Sequence, residues 1–163
     1  MVANPGSIRP VPIPLAPPFP AFFHAARGGI PFAEEAERYG KLEIHEKQGV
    51  LTEVLQIVDP RLTRLASVVV GGVPILYGDI KMGRLMPLPL LGEGIGRLAS
   101  LVLLIANAEH GVVLVDEIEN GLHYSILTKV CTAVREVARL FDTQVFATTH
   151  SLECISAAHE AFS

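Results

Sequence analysis

Cysteine is scarce: Cys131 and Cys154 are the only two in 163 residues. Both fall in expected helices, with no Cys-x-x-Cys redox or metal spacing, and read as two reduced structural thiols. The six histidines, at 24, 45, 110, 123, 150 and 159, form no His-Glu-x-x-His or Cys/His zinc pattern. Long apolar runs are also missing. The longest, around Leu101 to Ala106, falls far short of the ~20 residues that a membrane span needs. The N-terminus lacks the basic region and apolar block of a signal peptide, so the chain reads as cytoplasmic with no membrane role. Charge is low, at 18% of residues, and the net value is −4 with no Lys/Arg cluster. A nucleic-acid partner is therefore possible but not indicated. Finally, no Gly-x-x-x-x-Gly-Lys-Ser/Thr run occurs. Gly28-Gly29 and Gly71-Gly72 lack both the Lys and the following helix that a phosphate cradle requires.

What is present is hydrophobic. Half of the residues are apolar and the mean hydropathy is +0.41, enough for one domain with its own core. Gly111 to Val115 is a short apolar run with three valines, expected to be a strand buried on both faces as in a parallel sheet. Asp116 and Glu117 follow where such a strand surfaces, at the edge where open α/β sheets bind ligands. Two carboxylates there suit a cation and a polarised water, while a solvated acidic turn is the plainer alternative. Gln144 to Ala147 is a second apolar run, followed by Thr148, Thr149 and His150. Upstream, Leu91-Gly92-Glu93-Gly94 is a glycine-rich turn opening onto a helical run. Its backbone N–H groups can approach an anion at a helix N-terminus.

The order is glycine turn, helix, strand with Asp-Glu, helix, strand with His. It resembles the C-terminal half of an ABC-type P-loop ATPase, of the OLD-like and RecF/SMC-like branch that includes AAA-type ATPases. Leu91 to Gly94 resembles the signature loop, Val112 to Glu117 the Walker B strand, Glu119 to His123 the D-loop region, and His150 the switch histidine. The resemblance covers residues 85 to 162 best. It implies an α/β fold with parallel core strands, flanking helices and a small antiparallel hairpin sheet. It also implies ATP and Mg²⁺ as ligands, with Asp116 supporting the metal, Glu117 polarising the attacking water and His150 touching the γ-phosphate. Gly92, Glu93 and Gly94 would face the nucleotide of a second subunit, with Asn120 and Gly121 near that interface. The common signature pattern has Ser where this chain has Gly92. Since the family's Walker A loop lies upstream, the resemblance implies a C-terminal piece. Such a piece would form a homodimer or pair with a Walker A-bearing subunit, and would be inactive alone. The alternative is a non-catalytic module that binds an intact relative.

The remaining segments read as follows. Residues 1 to 31 carry eight of the twelve prolines and are expected to be a poorly ordered lead-in, with 32 to 163 as the ATPase part. Phe32 to Asp59 turns helical, ending at Asp59-Pro60. Ser67 to Tyr77 reads as a hairpin turning on Gly71-Gly72, with Pro74 marking its second strand as an edge. A third strand is expected near Met86. Ile95 to Asn107 reads as a buried helix and Tyr124 to Phe141 as an amphipathic one. Leu152 to Phe162 reads as the start of another. The strands ending near Val115 and Ala147 should be parallel, side by side or separated by one strand's width.

Overall fold

The computed structural model describes residues 17–163. The prolines at 5, 10, 12 and 14 of the expected lead-in lie outside them. Two sheets share one core. The parallel sheet holds β1 (Ala21–His24), β5 (Val112–Val115) and β6 (Gln144–Ala147) in the order β1-β5-β6. The antiparallel sheet holds β2 (Arg64–Val70), β3 (Val73–Asp79) and β4 (Met86–Pro87) in that order. Around them pack α1 (Phe32–Ile44), α2 (Gly49–Leu55), α3 (Glu93–Ala106), α4 (Leu127–Leu140) and α5 (Leu152–Phe162).

The expected β5–β6 neighbourhood is present: Val112 to Val115 pair in parallel with Gln144 to Ala147. Connecting them through α4 is the crossover that a parallel pair needs. β1 pairs with the other side of β5. It lies inside the stretch read from sequence as lead-in, so ordered structure begins before residue 32. Four apolar-to-aromatic residues just ahead of Arg27-Gly28-Gly29 are its signal. They are masked in sequence by the prolines around them.

α3 is the central post. Leu98 to Ala106 are buried without a break, because α1, α2 and α4 surround the helix while β1 and β5 lie beneath it. Thr143, at the start of β6, donates its hydroxyl to the Ile105 and Ala108 carbonyls, both at 3.0 Å, and so closes the end of α3. α4 buries Leu127, Val130, Cys131, Val134 and Val137 along one face. Cys131 and Cys154 are both free and buried between α4 and α5. Burial, then the neighbouring Cys154, pushes the Cys131 thiol up to about 11, so it stays protonated and unreactive.

Two local expectations are corrected. Pro74 does not mark an edge strand, since β3 is the middle strand of its sheet. β4 is only two residues long and pairs with Tyr77 and Gly78 alone. Beside Pro74, β3 therefore has no neighbour on that side, and the missing N–H leaves no ladder bond unmade. Second, the parallel sheet is not covered on both faces. Val113 and Val115 are buried on the α3 side, but Phe23, Leu114 and Phe146 are 62%, 47% and 58% exposed. These three stand side by side in register, and nothing among the described residues covers them. The hairpin turn is as expected: Gly71 and Gly72 have φ of 60° and 81°, as a type I′ turn requires.

Candidate functional site

The ladder itself delivers the acidic pair to the carboxyl end of the parallel sheet. Asp116 makes the last bond of β5, its N–H donating to the His24 carbonyl at 2.9 Å. The chain then turns sharply at Glu117, whose φ of 51° is unfavourable for a residue with a Cβ. Such strain persists where neighbouring bonds hold it, and it clusters at working sites. Thr148 supplies those bonds. Its hydroxyl donates to Asp116 Oδ1 at 2.7 Å and accepts the Glu117 N–H at 3.0 Å. Its own N–H reaches the Val115 carbonyl at 2.9 Å, and its carbonyl accepts the Ile118 N–H at 3.2 Å.

His150 comes to the same edge two residues later. Its N–H donates to Glu119 Oε1 at 3.0 Å, and its Nε2 stands 3.8 Å from Glu117 Oε1. Burial pushes the Glu119 carboxyl up. The bonds from its own backbone, from the His150 N–H and from Thr149, with the His150 charge, outweigh that and leave it below its ordinary value. Asp116, Glu117 and His150 thus occupy one small patch, with the His150 ring free to meet a ligand.

The glycine turn sits beside this patch. Gly92 is the N-cap of α3 with φ 132° and ψ 151°, a backbone region that belongs to glycine. A residue with a Cβ there would be strained, although nothing within 4 Å would crowd it. Glu93 is exposed, whereas Gly94 is buried. A Cβ on Gly94 would be driven into the Gly121 carbonyl oxygen. The two loops therefore touch backbone to backbone. Asn120 fixes the second loop by donating its side-chain amide to the Ala26 carbonyl at 2.9 Å. His123 accepts the Ser125 N–H at 3.3 Å, capping the short turn before α4. That is a structural use of this residue.

Arg97, one turn into α3, faces inward. Its guanidinium donates to the Ala25 and Ala26 carbonyls at 3.1 and 2.7 Å, and to the Asp116 and Glu117 carbonyls at 3.3 Å each. One cation thereby ties the ends of β1 and β5 to the glycine turn. Between them opens a cleft of about 650 Å³, lined by Arg27, Gly28, Glu93, Glu117 and Asn120 among others. Sequence reasoning gave Thr148 no role and took Glu119 only as the start of the D-loop region, while Arg97 could be read as an anion contact or as a surface charge. Thr148 offered a faint signal, as a hydroxyl just past a strand end. The other two contacts are long-range and leave no local pattern.

His24 lies under this clamp at the end of β1. It is buried, and its Nδ1 has no partner among the described residues. Burial, then the Arg97 charge, lowers it to about 4. A depressed basic group resists the proton that the unfolded chain accepts near 6.5. Its contribution is thus fully present above pH 6.5 and is lost as pH falls toward about 4, on the order of 3 kcal/mol in all. Melting curves at pH 7.5 and 5.0 should show a larger acid-side drop for the native chain than for His24→Leu. Equal drops would refute the assignment.

No group of three or more His, Cys, Asp or Glu able to hold a metal occurs among the described residues. Asp116 still suits Mg²⁺. That ion commonly binds through one or two carboxylates and completes its shell with water and substrate phosphates. No described helix is long and apolar enough to cross a membrane.

The fold is similar to the SMC head in the crystal structure of the SmcHead bound to the C-winged helix domain of ScpA. The TM-score is 0.52 at 14% identity, covering 76% of this chain and 43% of that one. The chain thus spans less than half of that head. It is similar also to an SMC ATPase chain studied for ATP-driven dimerization and DNA-stimulated activation. There the TM-score is 0.52 at 14% identity, over 74% of this chain and 78% of that one. No curated protein matches the sequence. The family model described as "AAA domain, putative AbiEii toxin, Type IV TA system" matches residues 19–156. With residues 19–156 of its 163 matched, the chain belongs to this AAA-domain family, and its mixed α/β fold is similar to that of the SMC heads.

Proposed function

We propose that this chain supplies the water-activating side of an ATP-hydrolysing site whose phosphate-binding loop comes from another polypeptide or segment. The observation that carries it is the convergence of Asp116, Glu117 and His150 at one sheet edge, with Thr148 bonded to both acidic residues' positions. Mg²⁺, when bound, neutralises charge on the phosphates. Asp116 holds it, directly or through a water, while Thr148 fixes which carboxylate oxygen remains free. Glu117 accepts a proton from the attacking water. His150 donates to the γ-phosphate and, at 3.8 Å from Glu117, links its presence to the base. Gly92, Glu93 and Gly94 present the start of α3 to a nucleotide held by a second subunit, and Asn120 and Gly121 line that junction. ATP-driven dimerization, described for the SMC relative, is the assembly this arrangement serves.

Positioning is most of phosphoryl-transfer catalysis, and no Walker A loop occurs in the sequence. The purified chain alone should therefore hydrolyse ATP no faster than its Glu117→Gln variant in a phosphate-release assay. Turnover that Glu117→Gln abolishes would show that another loop replaces Walker A. If turnover stays absent after a phosphate-loop partner has bound, the chain is an interaction module.

A further inference from the structure

We propose that Glu119 is a positioning residue: its carboxylate sets where His150 stands, and so fixes His150 beside Glu117. The proposal rests on the ATP-site reading above, in which Glu117 acts on the water and His150 on the phosphate.

His150 has little else to hold it. Among the described residues its one hydrogen bond runs from its backbone N–H to Glu119 Oε1, at 3.0 Å. The ring is 81% exposed, and its Nε2 stands 3.8 Å from Glu117 Oε1, too far for a hydrogen bond. The chain is anchored on either side. Thr148 is bonded to the end of β5, and Ser151 caps α5 by accepting the Cys154 N–H at 3.1 Å. His150 lies between these anchors with neither a ladder bond nor a helix bond of its own. Without Glu119 its peptide is free to turn, and the ring turns with it.

The bond is made from a stiff place. Glu117 and Glu119 share one tight turn, in which the Asn120 N–H donates to the Glu117 carbonyl at 3.0 Å. The Leu122 N–H donates to the Glu119 carbonyl, also at 3.0 Å. Asn120 is tied in turn to Ala26. The two carboxylates are therefore fixed relative to one another, and one holds the residue beside which the other works. Phosphoryl transfer depends on such placement, because a small displacement of a reacting group costs much of the rate. A placing role also accounts for an otherwise costly side chain. Glu119 Oε2 is buried and has no partner among the described residues. An unsatisfied buried oxygen destabilises the fold, and such an exception calls for a role beyond packing.

The test uses the purified full chain without nucleotide. In the native chain, nuclear magnetic resonance should show Overhauser contacts between the His150 ring and the Glu117 γ-protons. Glu119→Ala should remove them and speed exchange of the His150 amide by about tenfold or more. The Ile118 and Thr148 amides should keep their protection. Glu119→Gln retains an acceptor oxygen at the same reach and should restore both signals. Glu119→Asp retains the charge but is one methylene short, and should behave like Glu119→Ala. Absence of the ring contacts from the native chain would overturn the proposal, as would their survival in Glu119→Ala or Glu119→Asp. Loss of protection at Ile118 and Thr148 to the same extent would overturn it too, since Glu119 would then only hold the fold together. Should Glu119→Ala not fold, the contrast between Gln and Asp decides alone. Because no nucleotide enters the measurement, these signals beside an assembled site that hydrolyses no ATP would sink the ATPase reading and leave the positioning standing. Turnover without them would do the reverse.

Discussion

Replacing Glu117 by Gln, in the chain assembled with its phosphate-loop partner, is expected to cut ATP turnover by about 10²–10⁴-fold. ATP binding should survive, and an ATP-held assembly should accumulate. The substitution keeps the backbone N–H that donates to Thr148 and the left-handed turn at φ 51°. It removes only the base that acts as the water begins to attack, an interaction made in the transition state and not in the ground state. The neighbour should fail differently. Asp116→Asn keeps an oxygen for the Thr148 hydroxyl, now at 2.7 Å, but loses the charge that holds Mg²⁺. It should weaken Mg²⁺–ATP binding itself. Nucleotide-binding titrations and single-turnover hydrolysis on both variants separate the two roles. If both lose binding to the same extent, the division of labour between Asp116 and Glu117 does not hold.

Those two carboxylates were legible because β5 is a short apolar run that ends in them, and the same pattern placed His150 after β6. Both signals are local: strand period, then polar termination. The two-glycine hairpin and the amphipathic α4 were legible for the same reason. What sequence hid is everything decided by distant partners. β1 looked like part of a proline-rich lead-in because its pairing partner, β5, lies about ninety residues away. Thr148 and Arg97 bind across the sheet ends, at separations of 19 to 72 residues. Periodicity cannot report such contacts. Apolar runs also could not reveal that one face of the parallel sheet is bare, since hydropathy records what a strand wants covered and not whether a cover is at hand.

Gly94→Val is expected to destabilise the chain by about 1–3 kcal/mol, as forced overpacking does, with a fall in melting temperature of about 2–12 °C. The cause lies within the subunit. A Cβ at Gly94 meets the carbonyl oxygen of Gly121, which is backbone and cannot rotate aside. Nor is that backbone free to retreat. Gly121 sits at φ 76°, the Leu122 N–H is held by the Glu119 carbonyl at 3.0 Å, and Asn120 is tied to Ala26. Relief must come from parting the glycine turn from the Asn120-Gly121 loop. That movement also disturbs the cleft where Glu93, Arg97, Glu117 and Asn120 meet. A defect in assembly of this variant would therefore arise first from displaced loops, and only then from a collision with a neighbour's phosphate. Gly96 provides the control on the same helix, since a Cβ there meets nothing within 4 Å. Gly96→Ala should leave the fold unchanged or stabilise it by about 0.4–1 kcal/mol through the unfolded state. Thermal melts of the two variants, with amide exchange at Asn120 to Leu122, decide the matter. If Gly94→Val melts like the native chain while those amides keep their protection, the two loops are not locked together as the close contact requires.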